Sequence, residues 1–268
     1  MGFLSEILAA NRPVVEDDSY LDGLPPIGRT TRPSLKEAIE SNRTTGSLLA
    51  EYKRVSPGQV EPSLPTRALT DFVRVGERAG VTGFSCLATG PRFLGRPLDV
   101  LEIARATPRP VLFKDFVAHE RQLEAAARSG ASAVLLIARL ASERHLPRPI
   151  SELADSAHRW GLEVLLELHA EAELSESDGV AADVYGVNVR DLDSLRIDRA
   201  VAESTLRAAR ESGLGPLLGM SGVDSPADAQ RFWSLGVDGI LVGTSVARAD
   251  RPEDLLRSLR RPRAREEG

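Results

Sequence analysis

Runs of apolar residues, each of strand length, recur along the chain at 47–53, 83–87, 110–113, 133–137, 163–168, 184–188, 216–219 and 239–242. Between them lie stretches at 66–79, 98–106, 120–129, 143–160, 170–174, 199–212, 226–235 and 252–259. There, apolar side chains return every three or four positions, which is the helical period. Several of these stretches end at a glycine just before the next apolar run: Gly80, Gly130, Gly161, Gly213 and Gly236. Glycine there is the expected end of a helix, because the closing residue takes a left-handed conformation that a side chain disfavours. Two more amphipathic segments come first, at 2–11 and 33–40, joined by a polar, proline-containing connection over 14–31.

Strands that are apolar on both faces and separated by helices predict a parallel sheet covered on its outside. Eight such units within 268 residues match the count and size of a (β/α)8 barrel. The competing arrangement, a doubly wound open sheet, calls for a glycine-rich phosphate loop after the first strand. The sequence there, Lys53-Arg54-Val55-Ser56-Pro57-Gly58, is not one. The expected fold is therefore α/β, a (β/α)8 barrel at 47–260 with an N-terminal helical extension at 1–46 and a flexible charged tail at 261–268.

Composition narrows the function classes. A net charge of −5 with few aromatic residues gives no general nucleic-acid surface, although local basic clusters could hold a small anion. No signal region or long apolar span is evident, so neither secretion nor a membrane partner is expected. The single Cys86 cannot form an intrachain disulfide and lies in the apolar run Gly83-Phe84-Ser85-Cys86-Leu87, as a core residue would. The four histidines, His119, His145, His158 and His169, are scattered, and neither a metal nor another cofactor is expected. The setting this predicts is cytoplasmic, as a monomer or weak homo-oligomer.

Barrel chemistry gathers at the C-terminal ends of the strands. Glu51, Lys53 and Ser56 stand at the first end, Lys114 and Asp115 at the third, Glu167 at the fifth, and Asn188 and Arg190 at the sixth. Glu51 and Lys53 share a face by strand parity, as do Asn188 and Arg190. Each alone reads as a solvated loop charge; together they crowd one mouth at a cost in desolvation that a ligand would offset. Ser221-Gly222 and Gly243-Thr244-Ser245 follow strands seven and eight. Such small residues either form tight turns or present backbone amides to an anion, as in the usual barrel phosphate site. Residue types and positions together point to an enzyme for a phosphorylated, carboxylated small molecule, with lysine and glutamate moving protons.

These residues, in this order, resemble the indole-3-glycerol phosphate synthase family. The resemblance begins at Phe3-Leu4-Ser5-Glu6-Ile7-Leu8 and is most specific at Ala50-Glu51-Tyr52-Lys53-Arg54-Val55-Ser56-Pro57. It continues through Pro110-Val111-Leu112-Phe113-Lys114-Asp115-Phe116 and Gly186-Val187-Asn188-Val189-Arg190-Asp191-Leu192. It implies closure of an indole ring on a carboxyphenylamino-deoxyribulose phosphate, with loss of carbon dioxide and water and no cofactor. By the same resemblance, Lys114 is the acid at the carbonyl. Glu167 and Asn188 position the reacting centre, and Glu51 exchanges the proton of the dehydration. Lys53 and Arg190 meet the substrate carboxylate, while Ser56, Ser221, Gly222, Gly243 and Thr244 hold phosphate.

The departures matter as well. Met220-Ser221-Gly222 stands where the family usually has Glu-Ser-Gly, and Ser85-Cys86-Leu87-Ala88-Thr89 lacks the acidic residue usual after strand two. Two missing carboxylates predict fewer acidic neighbours for Lys53 and Lys114. Two alternatives therefore stay open at this point. One is a diverged relative acting on a different phosphorylated aminosugar; the other is a non-catalytic barrel that binds a phosphate ligand.

Overall fold

The computed structural model describes residues 2–28, 32–56 and 67–262. Pro57 and Gly58 of the segment after the first strand, the expected helix start at 66 and the tail beyond 262 lie outside the described residues. Eight parallel strands form a closed barrel in chain order: β1 (Ser47–Tyr52), β2 (Gly83–Leu87), β3 (Val111–Lys114), β4 (Ala133–Ile137), β5 (Glu163–Leu168), β6 (Val184–Asn188), β7 (Leu217–Met220) and β8 (Gly239–Val242). Leu49 of β1 pairs with Gly83 of β2 on one side and Leu241 of β8 on the other, which closes the ring.

Side-chain alternation sorts each strand into two cores. Leu48, Phe84, Val111, Val134, Leu136, Val164 and Leu166 face out toward the helices. Leu49, Leu112, Leu135, Leu165, Leu218 and Leu241 face in and pack against one another. Each fully buried leucine contributes about 1.5–3 kcal/mol relative to exposure. The inner layer also fixes the chemistry above it. Two residues further along the same strand faces stand Glu51, Lys114, Ile137, Glu167, Met220 and Gly243.

The outer helices are α3 (Leu69–Ala79), α4 (Pro97–Ala106), α5 (Glu120–Arg128), α6 (Ala138–Ser142), α7 (Ile150–Arg159), α8 (Arg199–Glu211), α9 (Pro226–Ser234), α10 (Thr244–Arg248) and α11 (Pro252–Ser258). The helix expected at 143–160 starts only at Ile150, because Arg144 sits at φ 58° and Pro147 and Pro149 break the segment before it; α6, at the end of β4, was not expected. The expected helix at 170–174 is a 3-10 segment, Glu171–Ser177. Strand β3 starts after Pro110 and β7 after Pro216; each proline lacks an N–H, yet its carbonyl still accepts from the neighbouring strand, from Phe84 and Tyr185.

The two leading helices take opposite ends of the barrel. Helix α2 (Leu35–Ser41) sits at the N-terminal end of the strands. The Glu163 carboxylate, at the start of β5, accepts from the amides of Leu35 at 2.8 Å and Lys36 at 3.0 Å, so a distant acid supplies the helix N-terminus with partners. Helix α1 (Phe3–Glu16) runs beyond Asn11, where the sequence pattern ended it, and through Pro13. The extension is held by buried Val15 and by Asn11, whose amide donates to Asp115 at 3.3 Å. Phe3 meets Phe93 edge to face at 6.4 Å, on the side of the barrel where the strands end. Arg261, assigned by sequence to a free tail, is instead anchored: it stacks over Trp233 and donates to the carbonyl of Arg43 at 2.7 Å. Among the described residues no helix is long and apolar enough to cross a membrane.

Candidate active site

At the C-terminal ends of the strands lies a cavity of about 180 Å³. Glu51, Lys53, Lys114, Glu167, Asn188, Arg190, Ser221, Gly222, Gly243 and Thr244 all line it. Of the residues expected at the site, only Ser56 stands back from the wall; its hydroxyl lies 3.4 Å from that of Thr244. Leu135, Ile137, Met220 and Leu241 form an apolar floor with Phe3, Phe93 and Phe116 to one side, and Asp115, Asp224, Ser245 and Arg248 add polar groups to the wall.

At the end of β1, the ammonium of Lys53 donates to Glu51 at 2.7 Å, as their shared parity predicted. Burial pushes the Glu51 carboxyl up, but the fields of Lys53 and Lys114 outweigh it and hold the group below its ordinary range. The same pair explains Gly243: a Cβ there would stand 2.5 Å from Glu51 Oε1 and 3.1 Å from Lys53 Nζ. Ser221 and Gly222 both have φ near 65°, a tight turn that puts both on the cavity wall. Gly222 is doubly required, since a Cβ would lie 2.9 Å from Val189 Cγ2. Ser245 ties the last two loops together, donating to the carbonyl of Val223 at 2.7 Å.

Beside Lys114, Asp115 organises the loop at the edge of the cavity. It accepts from Thr89 Oγ1 at 2.7 Å, the amide of Phe116 at 2.8 Å, Gln122 Nε2 at 2.9 Å and Asn11. Burial raises its carboxyl above the ordinary value despite these four donors. One buried acid thus joins α1, α5 and the ends of β2 and β3, and so fixes the strand end that carries Lys114.

The ends of β5 and β6 hold a chain of charges that sequence reading missed. His169 was counted among scattered histidines; its Nε2 lies 3.1 Å from Glu167 Oε1 and its Nδ1 lies 3.6 Å from Glu173 Oε2. Arg139 of α6 pairs with Glu173 and with Asp191, each at 2.8 Å. Burial alone would raise the Glu167 carboxyl, but Lys114 and His169 bring it down to about 2. Burial would likewise lower His169, and its two carboxylate neighbours raise it instead. The visible signal was parity: His169 follows Glu167 by two residues, as Lys53 follows Glu51. In β6, Asn188 Oδ1 accepts from the amide of Arg190 at 3.1 Å, and Arg190 donates to the carbonyl of Leu195 at 2.9 Å.

The sequence model of indole-3-glycerol phosphate synthase matches residues 20–259. The chain belongs to that family. The indole-3-glycerol phosphate synthase of Aeropyrum pernix is 37% identical over 219 residues, covering 80% of each chain. That of Listeria monocytogenes is 33% identical over 260 residues, covering 97% of this chain and 99% of its own. Among solved structures, a thiamine phosphate pyrophosphorylase from Pyrococcus furiosus superposes with a TM-score of 0.58 at 18% identity, over 82% of this chain and 95% of its own. That likeness concerns the barrel fold alone. This synthase-family member carries Met220 at the end of β7, buried to 1% exposure, where the resemblance implies a glutamate. Gly186 of β6 makes room for it, since a Cβ there would stand 2.5 Å from the Met220 sulfur. Lys53 keeps Glu51 as an acidic partner.

Proposed function

We propose that the chain performs the indole-3-glycerol phosphate synthase reaction on 1-(2-carboxyphenylamino)-1-deoxyribulose 5-phosphate. The observation that carries this reading is the convergence of Glu51, Lys53, Lys114, Glu167 and Asn188 on one cavity with an apolar floor. The floor of Leu135, Ile137, Met220 and Leu241 suits a flat aromatic ring, and the polar wall suits a carbonyl, a carboxylate and a phosphate.

In the first half of the reaction, the ring carbon bearing the carboxylate attacks the ketone, and the carbonyl oxygen takes a proton from Lys114. Release of carbon dioxide returns the electron pair to the ring. In the second half the new hydroxyl departs as water, carrying off a proton, and a second proton leaves the five-membered ring to complete the indole. Glu51, ionised beside Lys53, accepts that proton or relays it. Glu167 and Asn188 hold the reacting centre and the departing hydroxyl. Lys53 and Arg190 face the carboxylate before it leaves. Ser221, Gly222, Gly243 and Thr244 receive the phosphate, with Ser56 supporting Thr244. Every one of these groups comes from one chain, so a monomer or weak homo-oligomer suffices, and the role is that of a biosynthetic enzyme of the cytoplasm.

Mixing the protein with this substrate and following indole absorbance and fluorescence tests the reading. Turnover at about 1 s⁻¹ or faster is expected. Tight binding without indole would overturn it and redirect attention to a different phosphorylated aminosugar, for which the apolar Met220 leaves space.

A further inference from the structure

One titratable group is sealed against the cavity without a chemical role in the reaction above. His169 has a side chain 1% exposed, between Glu167 on one side and Glu173 on the other. Its own backbone amide donates to Glu173 at 2.8 Å, which fixes that acid close to the ring. A neutral imidazole keeps one nitrogen as an acceptor, and here that lone pair would face a carboxylate oxygen whichever tautomer formed. Two acids facing one ring in a closed site therefore favour protonation of both nitrogens. The contact is ionic rather than a pair of directed hydrogen bonds: among the described residues neither ring nitrogen, nor Glu167 Oε2, has a well-aligned partner.

The chain of charge does not stop at Glu173. Arg139 bridges it to Asp191, with Glu143 at 4.0 Å as a further neighbour. Asp191 accepts from the amides of Asp193 at 3.2 Å and Ser194 at 2.7 Å, so it shapes the segment that begins at Arg190. Lys114 acts on Glu167 from the other side. The charged groups around His169 thus come from β3, β5, the 3-10 segment after it, α6 and the loop after β6.

We propose that His169 is a positioning residue: wedged between Glu167 and Glu173, it holds Glu167 as an aligned carboxylate and couples its placement, through Glu173 and Arg139, to the loop bearing Arg190. The proposal rests on the synthase reading only in its kinetic consequence. Removing the imidazole while keeping a polar side chain (His169→Gln) leaves the phosphate loops untouched but leaves Glu167 with Lys114 as its remaining cation.

Two measurements on the full chain test it. Nitrogen-15 imidazole spectra of the unmodified protein, with His169 assigned by its disappearance in His169→Gln, are expected to show both ring nitrogens protonated at pH 7. A neutral ring would overturn the proposal, and this readout does not depend on turnover. In the indole assay, the acid limb of kcat/KM is expected to move up by about one pH unit or more in His169→Gln, with KM changed by less than about twofold. Where His169→Gln does not fold, His169→Asn serves in its place, with the same expected shift. A lower rate with an unmoved acid limb would assign His169 to packing and sink the idea. Failure of the unmodified protein to make indole would instead sink the synthase reading, leaving the spectra to decide the charge of His169.

Discussion

The ends of β1 and β5 are written in the same way and built differently. Each places a glutamate two residues before a cation, Glu51 before Lys53 and Glu167 before His169, and the two strands lie four apart in an eight-membered ring. Lys53 reaches Glu51 on a long stem and faces the cavity beside Gly243. His169 is a rigid ring enclosed on both sides by acids, and the second acid is braced by Arg139. What stands behind the cation decides the difference. Open space behind Lys53 leaves a pair that can exchange protons with a ligand, whereas the braced Glu173 behind His169 leaves a carboxylate that is fixed and strongly ionised. Parity specifies the pairing, and the neighbours specify its use.

The largest expected effect comes from removing either acid. Glu51→Gln and Glu167→Gln should each lower kcat by about 10²–10⁴-fold, but Glu167→Gln should lower the thermal midpoint more, because it takes one of two carboxylates from the fully enclosed His169, whereas Lys53 can turn to the cavity. Equal losses of stability in the two variants would erase the contrast. Beneath the two acids stand Leu49 and Leu165, both fully buried. Alanine at either should cost about 2–5 kcal/mol in denaturant unfolding, and similar values would show that the ends differ above a common floor.

A smaller effect is expected between β6 and β7. Gly186→Ala should destabilise by about 1–3 kcal/mol, since its Cβ would press on Met220 and on Leu165 at 3.0 Å. Pairing it with Met220→Ala should recover part of that loss, and no recovery would mean that the strain lies elsewhere. The smallest effect is in the pH dependence of the thermal midpoint. Glu51 and Glu167 have depressed pKa values, so their contributions are complete above about 4.5 and decline as pH falls through the folded values, near 2 for Glu167. His169 is raised, so its contribution is complete below 6.5 and is lost as pH rises through the folded value. The β5 end should therefore stabilise most between these limits, while the β1 end weakens only on the acid side. In His169→Gln the alkaline decline should shrink.

The barrel was legible because each strand is apolar on both faces and each helix on one, so two periods could be read without any tertiary knowledge. Parity also carried the polar residues from one strand end to the next, since an inward leucine predicts an inward residue two places on. What failed was local or distant. The late start of α7 depends on Arg144 adopting a left-handed backbone and on two prolines within a helical-looking stretch. The extension of α1 through Pro13 depends on Asp115, about a hundred residues away, accepting from Asn11. His169 was hidden for a different reason: its partner is the glutamate two residues before it, and no spacing among the four histidines marks that pairing. Met220 was visible as a substitution, but its fit required Gly186 on the neighbouring strand.

The capping of α2 by Glu163 has a consequence in time. The helix is synthesised first, yet the acid that satisfies its opening amides lies 128 residues later. At cellular elongation rates of about 5–20 residues per second, roughly 6–26 s pass before that partner exists. Strand β1, which follows α2, waits longer still for β8 to close the ring. Helix α2 is thus a plug made before its socket, and its docking records that the chain has been made as far as β5.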